Sequence, residues 1–315
     1  MAPAISGARH KQRATANGLR LLSAWHLLVA GATLFWSLSG VFVRWLPDID
    51  PWSFNAFRGL GLGVSMALWI ALRYGRGSVA LLRRSPIAGL LISAGFFALG
   101  SSLYIVSLDL ASVAAVSCLT ATSGLFAALM ARFFLSERTP PIFYLAMLLA
   151  LGGVGAIALG EGDARVQGLA GTFTGLAVAA CFAAQSVALR RYRAFDMEPA
   201  FLLGGFVTFA AIMGLGLVIV PPWQSLVVLL LMGLVQLAIP LVLYMYGARS
   251  VATSHMVLIT MADAVLNPLW VWMVHGEVPP QAVYLGGALV LGAIALTAFA
   301  PPTGVAQVQP GATDK

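Results

Sequence analysis

Residues 256–280 read MVLITMADAVLNPLWVWMVHGEVPP, an apolar run as long as a membrane span, with the acid Asp263 inside it and Gly-Glu-Val-Pro-Pro at its end. An ionisable group at bilayer depth costs about 2.5–3.5 kcal/mol on insertion scales, so Asp263 calls for a role in binding, proton transfer or packing. The run also has a counterpart in the first half of the chain. A constant shift of 140 pairs Tyr244 with Tyr104, Thr260 with Thr120, Glu277 with Glu137, Pro280 with Pro140 and Gly292 with Gly152. Residues 136–140, Ser-Glu-Arg-Thr-Pro, thereby align with 276–280. Further upstream the shift becomes about 146, pairing Trp36 with Phe182 and Arg44 with Arg190, which places a length difference in one link.

The remainder of the chain has the same character. Of 315 residues, 60 % are hydrophobic and 9 % charged, with a mean hydropathy of +0.92. A soluble chain carries about 25 % charged residues. Apolar stretches run over roughly 25–46, 52–72, 86–106, 110–134, 142–160, 169–189, 199–220, 224–247, 251–275 and 281–299, separated by Pro47, Pro51, Pro86, Pro140, Pro141, Pro221, Pro222, Pro279 and Pro280. About 20 apolar residues cross a bilayer as a helix, so the expected fold is all-α and integral to the membrane, with ten transmembrane helices. The repeat divides them into a first five-helix unit, 25–160, and a second, 161–299. Residues 1–24 form a basic tail and 300–315 a disordered C-terminal tail. Because five is odd, the two units enter the membrane in opposite orientations.

Arginine placement sets the orientation. Arg73, Arg76, Arg83, Arg84, Arg132, Arg138, Arg190, Arg191, Arg193 and Arg249 fall on the side of the N-terminal tail, whereas Arg44, Arg58 and Arg165 fall toward the other. By the positive-inside rule the chain is N-in and C-in. The N-terminal tail lacks a short apolar region with a cleavage site, so it reads as a cytosolic tail and not a signal peptide. The net charge of +7 is scattered through short links, which gives no support to nucleic-acid binding. Cys118 and Cys181 both lie inside spans and read as small packing residues, and neither metal ligands nor a cofactor motif stands out.

Inverted repeats related by an axis in the membrane plane give two near-equivalent arrangements, one open to each side, around a site near the midplane. A transporter is therefore expected, in preference to an enzyme or a channel. The stretch from Asp263 to Glu277 resembles the penultimate-helix signature of EamA-type proteins in the drug/metabolite transporter superfamily, and residues 122–137 resemble the matching helix of the first repeat. Trp36 and Ala56-Phe57-Arg58-Gly59 fit the same pattern. The resemblance runs from about 30 to about 298. It implies a carrier of amino acids, purines or other metabolites, mostly outward. Two departures are Asp263 in place of the more usual glutamate, and Gly124 where the first repeat commonly has proline, which leaves a break in the fourth span in question.

Thr260, Asp263 and Asn267 share one helical face with Met256, and the aligned face of the first repeat carries Ser117, Thr120 and Ser123. These six polar residues form the expected floor of a substrate-binding or proton-coupling site. Asp263 would meet a substrate amine or carry a proton, unless a neighbouring helix holds it for packing. The small hydroxyl residues also suit close helix packing. Trp36, Tyr104, Tyr244 and Trp270 lie at interior depth and are candidates for an aromatic wall, whereas Trp25, Trp52 and Trp223 suit an interfacial belt. Arg58 either snorkels or forms an outer gate with Asp48, Asp50 or Asp109. Gln185 and Gln236 suit interhelical hydrogen bonds, Pro240 and Pro268 are expected to kink their helices, and Glu137 and Glu277 read as helix terminators. His255 lies near the cytosolic end of its span, where it could titrate near neutrality.

The expected function is export of a small organic metabolite, amino acids or related amines first, across a bacterial inner membrane. Its partners would be the metabolite, the lipid bilayer and protons as a coupling ion, in a monomer or weak homodimer. Uptake or facilitated diffusion of a similar metabolite, and a non-transporting binding or scaffold protein, are the alternatives.

Overall fold

The computed structural model describes residues 24–298 apart from 47, 111–115, 117–118, 138, 161–168, 277 and 279–280. Ser117, Cys118, Glu277 and both tails named above lie outside the described residues, as does the side chain of Asp109. Among the described residues every regular element is helical. In order they are α1 Ala24–Trp36, α2 Ser39–Arg44, α3 Pro51–Tyr74, α4 Ser78–Arg84, α5 Ile87–Leu110, α6 Ser123–Phe134, α7 Pro141–Gly160, α8 Leu169–Arg191, α9 Glu198–Gly214, α10 Trp223–Met232, α11 Ile239–Ala248, α12 Thr253–Thr260, α13 Asp263–His275 and α14 Gln281–Ala298. A π-helical turn, Gly233–Ala238, joins α10 to α11.

Six helical stretches are long and apolar enough to cross a membrane: Ala24–Arg44, Pro51–Leu81, Ile87–Tyr104, Phe173–Arg191, Trp223–Ala248 and His255–His275. Four shorter apolar helices accompany them, Leu119–Phe134, Pro141–Ala156, Glu198–Gly214 and Tyr284–Leu296. Leu72, Ile87, Phe133 and Leu285 are 72–76 % exposed, so the outer surface is one that only hydrocarbon would cover without penalty. The chain is a multi-pass membrane protein.

Local chemistry explains where the helices start, stop and bend. Asp50 caps α3 by accepting from the Ser53 N–H at 2.9 Å, with Pro51 at the first helical position, where its missing N–H costs nothing. The span holding Asp263 is interrupted at Met261–Ala262, after Thr260 Oγ1 donates to the carbonyl of Val257 at 2.6 Å. The fourth span turns at Thr122, whose Oγ1 donates to Leu119 at 2.6 Å in the same way. A helix break therefore exists in the fourth span without proline, supplied by a hydroxyl that competes for a backbone carbonyl. Pro240 cannot donate to the preceding turn, and the π-helical turn immediately before it absorbs the mismatch. Pro268 lies inside α13, beyond the interruption at 261–262.

Helix pairs pack through small residues. α3 meets α9 where a Cβ on Gly205 would stand 2.6 Å from both the Gly59 carbonyl oxygen and the Gly63 nitrogen. Backbone on both sides leaves no room to yield. Gly205→Ala is expected to destabilise the protein by about 1–3 kcal/mol through overpacking, read as a lower melting temperature in detergent. An unchanged melting temperature would contradict this contact. α7 lies along α14, α5 along α8 and α9, α1 along α11 and α12, α6 along α8 and α12, and α13 against α2, while α3 also meets α10 and the π turn.

Candidate functional site

Asp263 opens α13 directly after the Met261–Ala262 turn, so the sequence places its acid in the first turn of a half-helix, where a negative charge is favourable. Its Oδ1 is buried and has no hydrogen-bond partner among the described residues. Tyr104 on α5 interacts electrostatically with Asp263 and also with Arg58 on α3. Asp263 and Arg58 thus both lie within electrostatic range of the Tyr104 phenol.

Arg58 is held by neutral groups. Its guanidinium donates to Asn55 Oδ1 at 3.2 Å, Ser101 Oγ at 3.3 Å and Gln236 Oε1 at 3.4 Å, while its Nε is buried without a partner among the described residues. These bonds hold Arg58 within the bundle. The Asp50 carboxylate considered as its gate partner is committed to the α3 cap, and Asp48 is exposed. Ser101 Oγ donates to Asn55 Oδ1 at 2.6 Å, which fixes the acceptor shared by both donors.

Gln236 links this polar group to the aromatic one, because its Nε2 donates to the Trp36 carbonyl at 3.4 Å. Trp36 packs against Tyr244, with ring centroids 5.2 Å apart, and edge-on to Phe182 at 6.2 Å. Ser186 Oγ and Tyr244 OH are 2.9 Å apart. Met256 is buried in the same cluster. Of the predicted residues, the structure therefore brings Trp36, Tyr244 and Met256 together and sets Tyr104 within electrostatic range of Asp263 and Arg58.

Others are engaged elsewhere. Asn267 binds the first span at its interruption, donating from Nδ2 to Ser39 Oγ at 3.0 Å and accepting from the Gly40 N–H at 3.1 Å. Trp270 Nε1 donates to Ser37 Oγ at 2.8 Å. Thr120 lies beside the fourth-span turn and Ser123 is buried at the start of α6. The contact between α6 and α12 is apolar, with Val257 against Ala127 and Leu258 in a cluster with Ala128. His255 stacks on Phe143 at 4.1 Å and lies 5.9 Å from the His26 ring. Two recesses of about 240 and 460 Å³ lie at Thr122–Leu129 and between Tyr74–Ser85 and Ala194–Asp196; Asp263 lines neither.

Sequence reading missed Asn55 and Ser101. The signal for Asn55 is its position three residues before Arg58, on the same helical face. It also missed Glu198, which is fully buried and accepts from Arg73 Nη1 at 2.9 Å, Tyr246 OH at 3.1 Å and Tyr74 OH at 3.3 Å. Arg249 pairs with Asp196 on the same face of the bundle.

The structure is thus an apolar helical bundle in which Asp263 Oδ1 is buried at a helix break. Residues 23–159 match the family model for EamA-like transporters, which bears out over that segment the resemblance read from the sequence. That family is one of membrane transporters. Comparison with curated proteins gives no match. Among solved structures 27 chains match. One, titled "Crystal structure of protein", has a TM-score of 0.76 and 20 % identity, covering 87 % of this chain and 96 % of its own. At that identity the likeness speaks for the fold alone.

Proposed function

We propose that the protein is a secondary transporter of a bacterial inner membrane that exports small zwitterionic metabolites, amino acids or related amines first, by alternating access around a central cavity. The observation that carries this reading is the buried Oδ1 of Asp263, without a partner among the described residues, at a helix break, with Tyr104 within electrostatic range of both Asp263 and Arg58. Two opposite charges that do not neutralise one another suit a ligand bearing both an ammonium and a carboxylate. Asp263 receives the ammonium or an exchanging proton, Arg58 receives the carboxylate, and Trp36 and Tyr244 wall the apolar part. Asn267 and Trp270 hold the ninth span against the first, while Thr120, Ser123 and Thr260 border the site.

An inverted repeat of two five-helix units, N-in and C-in, underlies the mechanism. It is supported by the way helix pairs map onto one another when the halves are exchanged. The fifth span pairs with the tenth, the second with the seventh and the fourth with the ninth. The third-with-sixth contact exchanges with eighth-with-first. Ser136 and Gly276, aligned by the shift of 140, both have positive φ, 54° and 72°, so the aligned helices end alike. Two similar halves allow the bundle to rock about the site between two arrangements of comparable energy.

The test is counterflow in proteoliposomes with a panel of amino acids, purines and amines. Preloaded unlabelled amino acid is expected to drive transient accumulation of its labelled form; binding without accumulation for every compound would refute transport. In the same assay Arg58→Gln is expected to raise the half-saturating concentration of amino acids roughly tenfold or more, the size of a lost charge-assisted hydrogen bond, with a smaller effect on amines that lack a carboxylate. Equal effects on both classes would remove Arg58 from the site.

A further inference from the structure

The arginine-rich face contains a second charged constellation, separate from Asp263. Glu137 Oε1 accepts from Arg190 Nε at 2.8 Å, and its Oε2 accepts from the Thr253 N–H at 3.3 Å. Arg190 Nη1 donates to the Ala248 carbonyl at 2.8 Å, and the arginine side chain is only 3 % exposed. Four helix ends meet there: those of α6, α8 and α11, and the start of α12. Arg193 lies within electrostatic reach of both partners.

Two features set this contact apart from ordinary packing. Ser136, a non-glycine residue, is held at φ 54°, and the next residue's N–H reaches back to the Ala131 carbonyl at 3.2 Å. A strained backbone residue thus delivers the Glu137 carboxylate. Secondly, the N-cap residue of α12, Ala252, has no side-chain cap of its own, so the capping charge comes from a different span. α12 is a helical segment of eight residues, about 12 Å long. One end rests on Glu137 and the other stops at the turn before Asp263.

We propose that the Glu137–Arg190 pair is the cytosolic latch of the transport cycle, and that α12 carries displacement between it and Asp263. The latch parts when the cavity opens to the cytosol and closes again when the site faces outward. This rests on the transport reading. The nearby Glu198 cluster joins α3, α9 and α11 around a fully buried acid and acts as fixed scaffold against which the latch moves.

The test uses full-length protein in oriented vesicles, with Cys118 and Cys181 replaced by alanine and Thr260→Cys as reporter. Glu137→Gln keeps an oxygen for the Thr253 N–H but removes the charge. It is expected to speed labelling of the reporter by a membrane-impermeant thiol reagent from the cytosolic side roughly tenfold, the signature of a shifted equilibrium. Labelling from the outer side should slow. Unchanged rates on both sides, in protein with the parental melting temperature, would overturn the latch. A second variant adds constraint in place of removing it. With Glu137→Cys and Arg190→Cys joined by a reducible bis-thiosulfonate linker, counterflow of any compound the parent exchanges should stop and return on reduction. Undiminished counterflow while linked would also overturn it. Labelling needs no substrate, so failure of the latch is distinct from failure of transport, which shows as absent counterflow in the parent.

Discussion

Asp263→Asn protein is expected to insert and fold like the parent yet to show counterflow reduced by roughly thirtyfold or more. The residue sits at the start of a half-helix with one carboxylate oxygen buried and unpartnered among the described residues, so it contributes little to holding its neighbours together. A ligand ammonium, by contrast, would make a charge-assisted bond to it worth about 2–3 kcal/mol, and asparagine offers only a neutral acceptor of the same shape. The same substitution removes a site that could carry a proton, so any dependence of transport on a proton gradient should disappear as well. Counterflow at the parental rate with an unaltered response to the gradient would return Asp263 to a packing role.

The second large effect is on stability. Glu198→Ala should lower the melting temperature in detergent more than any surface substitution, because it deletes the common acceptor of Arg73, Tyr74 and Tyr246. The acid is completely buried, whereas the Arg73 side chain is 36 % exposed and lies 5.1 Å from the centres of the Tyr74 and Tyr246 rings. Removing one partner of a buried pair costs about 3–5 kcal/mol, and the arginine's route to water places this case near the lower end. Glu198→Gln keeps an acceptor and should cost less, about 1–2 kcal/mol. Thermal unfolding of the three proteins side by side checks the order; an alanine variant as stable as the parent would mean that the cluster holds nothing.

The legible part of the molecule was the part governed by one-dimensional regularities. Apolar run length marked the helices and Pro51 marked the link before the second span, whereas Asp50 was read as a gate partner and not as the cap of α3 that it is. Pro240 marked a bend, although the sequence did not specify that a π turn would take it up or that Gln236 within that turn would reach Arg58. The break at Thr122 was illegible without its proline, since a hydroxyl bonding to its own helix looks like any buried threonine. At the site, the packing of Trp36 on Tyr244 shows two of the expected aromatic residues together, but the partners of the polar residues were not readable. Asn267 shares a face with Asp263 yet binds Ser39 and Gly40, more than two hundred residues away, because crossing helices decide which groups meet. Glu137 read as a helix terminator and Arg190 as one of many arginines on the N-terminal side, and only the packing of four spans joins them.

The most direct test of the zwitterion site is counterflow of a free amino acid measured beside its N-acetyl derivative, which keeps the carboxylate and side chain but loses the ammonium. A site that meets the ammonium with Asp263 and the carboxylate with Arg58 predicts accumulation of the free amino acid alone. Equal accumulation of both compounds, or of neither, would contradict it.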